Sequence, residues 1–236
     1  MRVKGTRATS QAVLFDLDGT LHDSNGAWQE AMGAYVTRYT DEPGPGLIAG
    51  LVGMSTPEAV ALVHGRLGLP PADVSADVAW LEERVARTFA EQAAWHPGAL
   101  ELVGRTREAG LRTALVTSSG RLIVDSLLGG PIGRLFDVVV CSADVERMKP
   151  APDPYLLAAS LLGVDPADCV AVEDSATGVA SAAAAGCRVI YIGAAELAGS
   201  PVQAAQPDRA RLDVSLLLRI LADVSGEEVS GGRVPG

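Results

Sequence analysis

Two aspartates, Asp16 and Asp18, follow a short apolar run and are well placed to do chemistry. The run Ala12–Phe15 has the composition of a strand buried on both faces. Strand alternation then points both carboxylates the same way and turns Leu17 back to the core. Two carboxylates that close repel each other unless a cation or a shared proton intervenes. Because oxygen ligands are typical of magnesium sites, the pair predicts Mg²⁺ at the end of this strand, although an acidic turn would contain the same residues.

A hydroxyl and an ammonium group come from two other segments. Thr117 ends a second apolar run and Ser118 follows it before a predicted helix, where free N–H groups can bind an anion. Lys149 is one of only two lysines in the chain and lies in a proline-rich loop that restricts its direction. Taken singly, the first pair is also typical of a helix N-cap, and Lys149 of a solvated loop.

A second pair of acids, Glu173 and Asp174, ends the apolar run 169–172, and Asp174 could also cap the next helix. Four segments therefore supply acids after two strands, a hydroxyl after a third and an ammonium group on a loop. In an open α/β sheet, ligands bind beyond the carboxyl ends of the strands, so we expect these groups to converge. Metal-assisted phosphoryl transfer needs a cation, donors for three oxygens, a nucleophile and a proton donor, and this set supplies them.

The elements that must position these groups alternate between strand and helix in the second part of the chain. Further strands are predicted over 111–117, 138–141, 169–172 and 189–192, and helices over 99–108, 121–128, 154–162, 177–185 and 214–223. This alternation predicts an α/β fold with a doubly wound, mostly parallel sheet. Residues 225–236, rich in glycine, are expected to form a loose tail.

Residues 25–92 show no strand pattern and are predicted to form a small all-helical insertion. Helical spacing of apolar residues is found in 27–40, 57–67 and 78–90. We therefore expect a catalytic core made of residues 1–24 and 93–236, with a helical cap made of residues 25–92. The break at residues 53–56 could place a loop over the site.

Composition excludes several classes of protein. The net charge of −10 over 236 residues argues against nucleic acid and anionic membranes as partners. The chain has no strongly apolar stretch of about 18 residues, and the first apolar run is too short for a secretory signal, so a cytoplasmic setting is expected. The three cysteines show no metal-ligand spacing and are expected to be reduced core residues, and the three scattered histidines offer little to a metal site or a triad.

Four motifs resemble those of the haloacid dehalogenase-like (HAD) superfamily, in its phosphatase and phosphomutase branch. In the order typical of the family they are Asp16-Leu17-Asp18-Gly19-Thr20-Leu21, Leu115-Val116-Thr117-Ser118-Ser119, Lys149-Pro150 and Glu173-Asp174-Ser175, within residues 12–193. The resemblance implies a Rossmann-like core with a helical cap inserted after the first strand.

The resemblance also implies roles for the motif residues. Asp16 is expected to be the nucleophile that forms an aspartyl-phosphate, and Asp18 the acid for the leaving group and then the base for water. Thr117 is expected to bind a phosphoryl oxygen, with Ser118 beside it in the substrate site. Lys149 is expected to neutralise the phosphoryl charge and to steady Asp16.

The implied cofactor is Mg²⁺, held by Asp16, the main-chain carbonyl of Asp18, and Asp174, with Glu173 close by or acting through water. The implied activity is a magnesium-dependent phosphatase acting on a small phosphorylated metabolite, such as a sugar phosphate or phosphoglycolate. The chain is expected to be a monomer or a homodimer, with no nucleic-acid or membrane partner.

Other activities within this superfamily remain alternatives. A β-phosphoglucomutase-like enzyme has a histidine early in the cap, and Trp28 stands where we align it, which favours hydrolysis. Dehalogenases lack the second Asp of the first motif, and phosphonate hydrolysis uses a cap lysine, which residues 25–92 lack. A catalytically idle binding or regulatory relative is a further alternative, although every named catalytic position is filled.

The substrate is expected to be selected mainly by the cap. Arginines there could meet an acidic substrate, although each is more often a solvated helix charge; they are Arg38, Arg66, Arg84 and Arg87. Trp28 and Met54 could line an apolar wall or pack in the core. His22, beside the first motif, is expected to be incidental to catalysis.

Overall fold

The computed structural model describes residues 10–44, 46–51, 54, 56–69, 74–91, 94–129, 132–193, 202, 204–205 and 212–222. Its strands are β1 (Ala12–Phe15), β2 (Arg112–Val116), β3 (Val138–Val140), β4 (Cys169–Glu173), β5 (Arg188–Tyr191) and β6 (Ala204–Ala205). They form one sheet in the order β3-β2-β1-β4-β5-β6, and neighbouring strands are parallel. The predicted doubly wound parallel sheet is confirmed, and the short strand β6 was not predicted.

Eight α-helices are found within these residues. They are α1 (Asn25–Val36), α2 (Thr56–Leu67), α3 (Val74–Glu91), α4 (Ala99–Glu108), α5 (Arg121–Leu127), α6 (Asp153–Leu162), α7 (Ala176–Ala184) and α8 (Val214–Ala222). Each was predicted. The bounds of α4 to α8 differ from the predicted ones by one residue at most. The larger differences are in α1, which begins and ends earlier than expected, and in α3, which begins at Val74 rather than near residue 78.

The sheet is covered on both faces, which explains why β1 is apolar without interruption. Val13 and Phe15 pack into a core that contains the buried faces of α4 and α8. Ala12 and Leu14 point the other way, into a core that contains the buried faces of α6 and α7. Strand β1 lies between β2 and β4, in a register that pairs Phe15 with Leu115 and Val172. The residues that follow these three strands therefore meet at one edge of the sheet.

Helices α1, α2 and α3 lie between β1 and α4 in the chain, and no strand is described among residues 25–91. Their buried faces join the core that also covers β1, through residues such as Met32 of α1 and Leu81 of α3. Helix α3 packs against α5, whose Ile123 is in the same core. This helical segment is therefore packed against the sheet domain.

A buried carboxylate ties these three helices together. Asp77 of α3 accepts hydrogen bonds from the hydroxyls of Tyr35 (3.0 Å) and Tyr39 (2.7 Å), lies 2.8 Å from Nε2 of His64, and pairs with Arg38 at 3.3 Å. Burial alone would raise the pKa of Asp77, but the hydrogen bonds and the Arg38 charge outweigh it and hold this pKa below its ordinary value. The carboxylate is therefore kept ionised inside the helical segment.

Two further expectations can be compared with the structure, and two segments cannot be compared in full. Cys141, Cys169 and Cys187 are buried and free, as predicted. Among the described helices, none combines the length and the apolar character that crossing a membrane requires. The predicted tail 225–236 lies outside the described residues, as does part of the break at 53–56.

Candidate active site

A cavity opens at the carboxyl edge of the sheet, beyond β1, β2 and β4. The residues predicted from the sequence converge there, and five line the cavity: Asp16, Asp18, Ser118, Lys149 and Asp174. The other two, Thr117 and Glu173, are fully buried. Each forms a hydrogen bond with a lining residue, Thr117 with Asp18 and Glu173 with Lys149. The expected convergence of four chain segments is therefore found.

Lys149 is the centre of one half of the site. Its Nζ donates hydrogen bonds to Oδ1 of Asp16 at 2.7 Å, to Oε1 of Glu173 at 2.6 Å and to the Val116 carbonyl at 2.9 Å. The side chain is only 4% exposed, so the three donors of the ammonium group are all satisfied inside the protein. This ammonium group is fixed against Asp16 before any ligand arrives.

The charges in this half of the site shift both partners' pKa values. Burial lowers the pKa of Lys149, but the charges of Asp16 and Glu173 outweigh it and raise this pKa above its ordinary value. Burial, followed by repulsion from Glu173, raises the pKa of Asp16, and the attraction of Lys149 only partly offsets this. Lys149 is therefore firmly cationic. Its positive charge does not fully compensate the burial of Asp16 and the repulsion from Glu173.

Glu173 is held by donors on both of its oxygens. Besides Lys149, the buried Tyr155 hydroxyl of α6 donates to Oε1 at 2.6 Å, and the Ser175 hydroxyl donates to Oε2 at 3.1 Å. A Cβ built on Gly178 of α7 would fall 1.9 Å from the Glu173 carboxylate, so this close packing requires a glycine there. Glu173 is thus placed as a fixed counter-charge to Lys149.

Asp18 occupies a different environment, surrounded by hydroxyl and indole donors. Its Oδ2 accepts hydrogen bonds from the hydroxyls of Ser119 (2.7 Å) and Thr117 (3.1 Å), and its Oδ1 accepts one from Nε1 of Trp28 (3.1 Å). Leu17 between the two aspartates is fully buried, as strand alternation predicts. Asp18 therefore faces the cavity in a defined orientation, with no lysine beside it among the described contacts.

The turn after Asp18 brings Asp174 close to the first motif. Gly19 has φ +79°, a conformation that side-chain-bearing residues rarely adopt, and a Cβ there would lie 1.9 Å from Oδ2 of Asp174. The Gly19 position thus serves both the backbone turn and the approach of a carboxylate from the end of β4.

The acidic groups fit a divalent cation. One carboxylate oxygen from each of Asp16, Glu173 and Asp174 lies within 4.8 Å of the other two. Oxygen-only ligands suit Mg²⁺, and a bound cation would offset both the burial and the carboxylate repulsion that raise the pKa of Asp16. Because both oxygens of Glu173 already accept hydrogen bonds, Asp16 and Asp174 are the better placed ligands of the three.

The outer part of the cavity is lined by the helical segment. Trp28 and Met54 lie in that wall, together with Met32, Ile48 and Leu51. His22 lies outside the described cavity lining and is buried against Phe89 and Trp95.

Of the two interpretations of the arginines in residues 25–92, contact with an acidic substrate is not supported. Arg38 pairs with Asp77 and stacks on Trp80 at 4.5 Å, and Arg84 pairs with Glu30. Neither they nor the other two, Arg66 and Arg87, belong to the described lining of the cavity. Helix packing directs the side chains of Arg38 and Arg84 toward acids of the same segment, and that of Arg38 also toward an aromatic ring.

Three contacting residues were not identified from the sequence. Ser119 was interpreted only as part of a motif and Trp28 only as a wall or an alignment position, while Tyr155 was included only in the predicted helix 154–162. The Ser119 contact could have been found, because Thr117 and Ser119 both follow β2 and lie near the end of β1. The hydrogen bonds of Trp28 and Tyr155 depend on where α1 and α6 lie relative to β1 and β4, which the local sequence does not specify.

Comparison with known proteins identifies relatives of this chain. The family model described as haloacid dehalogenase-like hydrolase matches residues 11–186. Hexitol phosphatase A of Escherichia coli K12 is 35% identical over 207 residues, covering 82% of this chain and 85% of that protein. The plasmid-encoded phosphoglycolate phosphatase of Cupriavidus necator is 34% identical over 184 residues, covering 77% and 80%.

A solved structure extends the similarity to three dimensions. It is a variant of CbbY from Rhodobacter sphaeroides in complex with xylulose 1,5-bisphosphate, and it is 27% identical to this chain. The match covers 86% of this chain and 96% of that chain with a TM-score of 0.74.

Proposed function

The chain belongs to the haloacid dehalogenase-like hydrolase family, and on that premise we propose that it is a magnesium-dependent phosphatase with Asp16 as its nucleophile. The proposed reaction is hydrolysis of a small phosphorylated metabolite through an aspartyl-phosphate. The observation that carries the proposal is the contrast between two neighbouring carboxylates: Asp16 is paired with Lys149, and Asp18 is held by Trp28, Ser119 and Thr117. Two carboxylates in different environments are suited to different roles.

In the first step, an oxygen of Asp16 attacks the phosphorus and the bond to the leaving alcohol oxygen breaks. Lys149 is fixed where it can offset charge on the attacking carboxylate and on the phosphoryl group. Asp18, two residues further on, donates a proton to the leaving oxygen. Ser118, which lines the cavity, is available to donate a hydrogen bond to a phosphoryl oxygen.

In the second step, water attacks the phosphorus of the aspartyl-phosphate. Asp18 accepts the proton of that water, the bond between Asp16 and phosphorus breaks, and inorganic phosphate leaves. Thr117 and Ser119 keep the Asp18 carboxylate in place for both proton transfers. In this proposal Thr117 acts on the substrate site partly through Asp18, since its hydroxyl already donates to that carboxylate.

We assign the Mg²⁺ ligands to Asp16, Asp174 and the main-chain carbonyl of Asp18, with Glu173 as the group that fixes Lys149. When bound, the ion supplies positive charge that offsets repulsion between the nucleophile and the phosphate. The residues of the chain determine where that charge is held. Gly19 permits the close approach of Asp174, as described above.

Residues 25–92 are proposed to act as a cap over the core. In support, Trp28 and Met32 of α1 line the cavity, together with Leu51 from the same segment. The hydrogen bond from Trp28 to Asp18 joins this segment to the catalytic turn. An indole N–H donates but cannot accept a proton, so Trp28 does not replace a histidine in a mutase reaction, and hydrolysis is favoured.

The proposal is tested by phosphate release from p-nitrophenyl phosphate with and without Mg²⁺. Activity is expected with the ion and is expected to be abolished by a chelator and by Asp16→Asn. The matched control is Asp41→Asn, which changes an exposed carboxylate outside the cavity lining and should retain wild-type activity. Mass spectrometry of acid-quenched enzyme should find phosphate on the peptide containing Asp16. Steady turnover by Asp16→Asn would contradict the assignment.

A further inference from the structure

The charged side chains of the described cavity lining are all at the end that holds the proposed nucleophile, which we call the phosphoryl end. Among the described lining residues these are Asp16, Asp18, Asp174 and Lys149. Lys149 already donates to two carboxylates and a main-chain carbonyl, so it has no donor to spare for a second anion on the substrate. The carboxylates beside it would repel such an anion.

The helical segment supplies no cation to the rest of the cavity. Residues 25–92 contain no lysine, and their four arginines lie outside the described lining. Two of them are paired within the segment, Arg38 with Asp77 and Arg84 with Glu30. The histidine of the segment, His64, is buried beside Asp77. A carboxylate or second phosphate on the substrate would therefore lose water without gaining an ion pair.

The remaining wall combines apolar and uncharged polar groups. Trp28, Met32 and Leu51 offer an apolar face, while Asn25, Gln29 and Thr56 offer amide and hydroxyl groups. An alcohol with hydroxyls along a carbon chain matches such a wall, because its C–H groups can pack against the apolar residues while its hydroxyls form hydrogen bonds.

We propose that this enzyme selects phosphate monoesters of uncharged polyhydroxy alcohols and discriminates against esters that carry a carboxylate or a second phosphate. The proposal rests on the phosphatase function proposed above and names the substrate class for the same site. It does not follow from that function, since the catalytic groups act on the phosphoryl end alone.

The test compares substrates that differ in one group. Suitable pairs are glucitol 6-phosphate with 6-phosphogluconate, 2-hydroxyethyl phosphate with phosphoglycolate, and xylulose 5-phosphate with xylulose 1,5-bisphosphate. In each pair we expect kcat/KM for the uncharged ester to be at least about tenfold higher, which corresponds to about 1.4 kcal/mol. Equal or higher kcat/KM for the charged ester in two of the three pairs overturns the proposal.

The outcomes separate this proposal from the phosphatase function. Hydrolysis of p-nitrophenyl phosphate together with a preference for charged esters overturns only the substrate class, as does hydrolysis of p-nitrophenyl phosphate with no activity on any uncharged ester of the panel. No phosphate release from any ester with Mg²⁺ overturns the phosphatase function itself.

A charge variant tests the cause of the selection. Gln29 is exposed, lies on α1 and lines the cavity. Gln29→Lys adds the missing cation and is expected to reduce the preference for glucitol 6-phosphate over 6-phosphogluconate by at least about threefold, while the uncharged control Gln29→Met leaves this ratio unchanged. A ratio that moves equally in both variants, or in neither, contradicts selection by charge.

Discussion

Replacing Gly19 by alanine is expected to weaken magnesium binding in addition to destabilising the fold. The new Cβ would lie 1.9 Å from Oδ2 and 2.8 Å from Cγ of Asp174, whereas ordinary contacts begin near 3.4 Å. The Asp174 carboxylate must therefore retreat by roughly 1.5 Å. Since Mg²⁺ accepts oxygen ligands only near 2.0–2.1 Å, a displacement of that size removes a ligand.

The backbone contribution of this substitution can be measured separately. Gly98 has φ +78°, almost the value of Gly19, and a Cβ there would meet nothing within 4 Å. Gly98→Ala therefore carries the same left-handed backbone cost, about 1–2 kcal/mol of unfolding free energy, without displacing a carboxylate. The two variants should lose similar stability in urea unfolding with chelator present.

The two variants should differ in the Mg²⁺ dependence of initial rates on p-nitrophenyl phosphate. We expect the half-saturating Mg²⁺ concentration of Gly19→Ala to rise at least about tenfold, about 1.4 kcal/mol, while that of Gly98→Ala stays within twofold of wild type. An equal half-saturating concentration in both variants would show that Asp174 does not bind the ion, and would refute this reasoning.

Three other substitutions test contacts found only in the structure. Tyr155→Phe removes the buried donor to Glu173 and should lower the unfolding free energy by about 1.5–3 kcal/mol in chemical denaturation; no loss would mean that the Glu173 carboxylate is satisfied without it. Trp28→Phe removes one of three donors to Asp18 and should lower kcat about fivefold with little change in KM, whereas an unchanged kcat would show that this hydrogen bond does not position Asp18. Because the pKa of Asp77 is lowered in the folded protein, the stability that its charge provides is complete above the ordinary value near 4 and is lost as pH falls through the folded value. Asp77→Asn should therefore cost about 2–3 kcal/mol at pH 7 and progressively less below pH 4, as measured by urea unfolding across pH; a deficit that does not change with pH would refute the linkage.

The convergence of the site could be predicted because residues that follow parallel strands in the sequence lie at the same edge of the sheet. Asp16, Thr117 and Glu173 each follow or end an apolar run, and the carboxyl ends of parallel strands meet at one edge of the sheet. Lys149 required family resemblance as well, since a proline-rich loop restricts the direction of the side chain without indicating which direction that is.

Contacts made by helical side chains could not be predicted in the same way. Arg38 pairs with Asp77, which is 39 residues away in the sequence, and Arg84 pairs with Glu30, which is 54 residues away. Such pairs depend on how three helices cross, and helical periodicity fixes only which face of each helix is buried. The sequence therefore could not decide whether these arginines meet an acidic substrate or are solvated helix charges.

The buried pair of Lys149 and Glu173 explains how one ammonium group can serve both the fold and the proposed nucleophile. Paired with Asp16 alone, a fully buried lysine would direct all its charge to that carboxylate and weaken it as a nucleophile. Glu173, fixed by Tyr155 and Ser175, takes a second hydrogen bond of Lys149, so the positive charge is shared while its position is kept. The same sharing leaves the carboxylates with negative charge in excess, because Asp16, Glu173 and Asp174 meet around a single ammonium group among the described residues. In the proposed reaction, the network that leaves Asp16 available to attack phosphorus also leaves a negative charge that a divalent cation would offset.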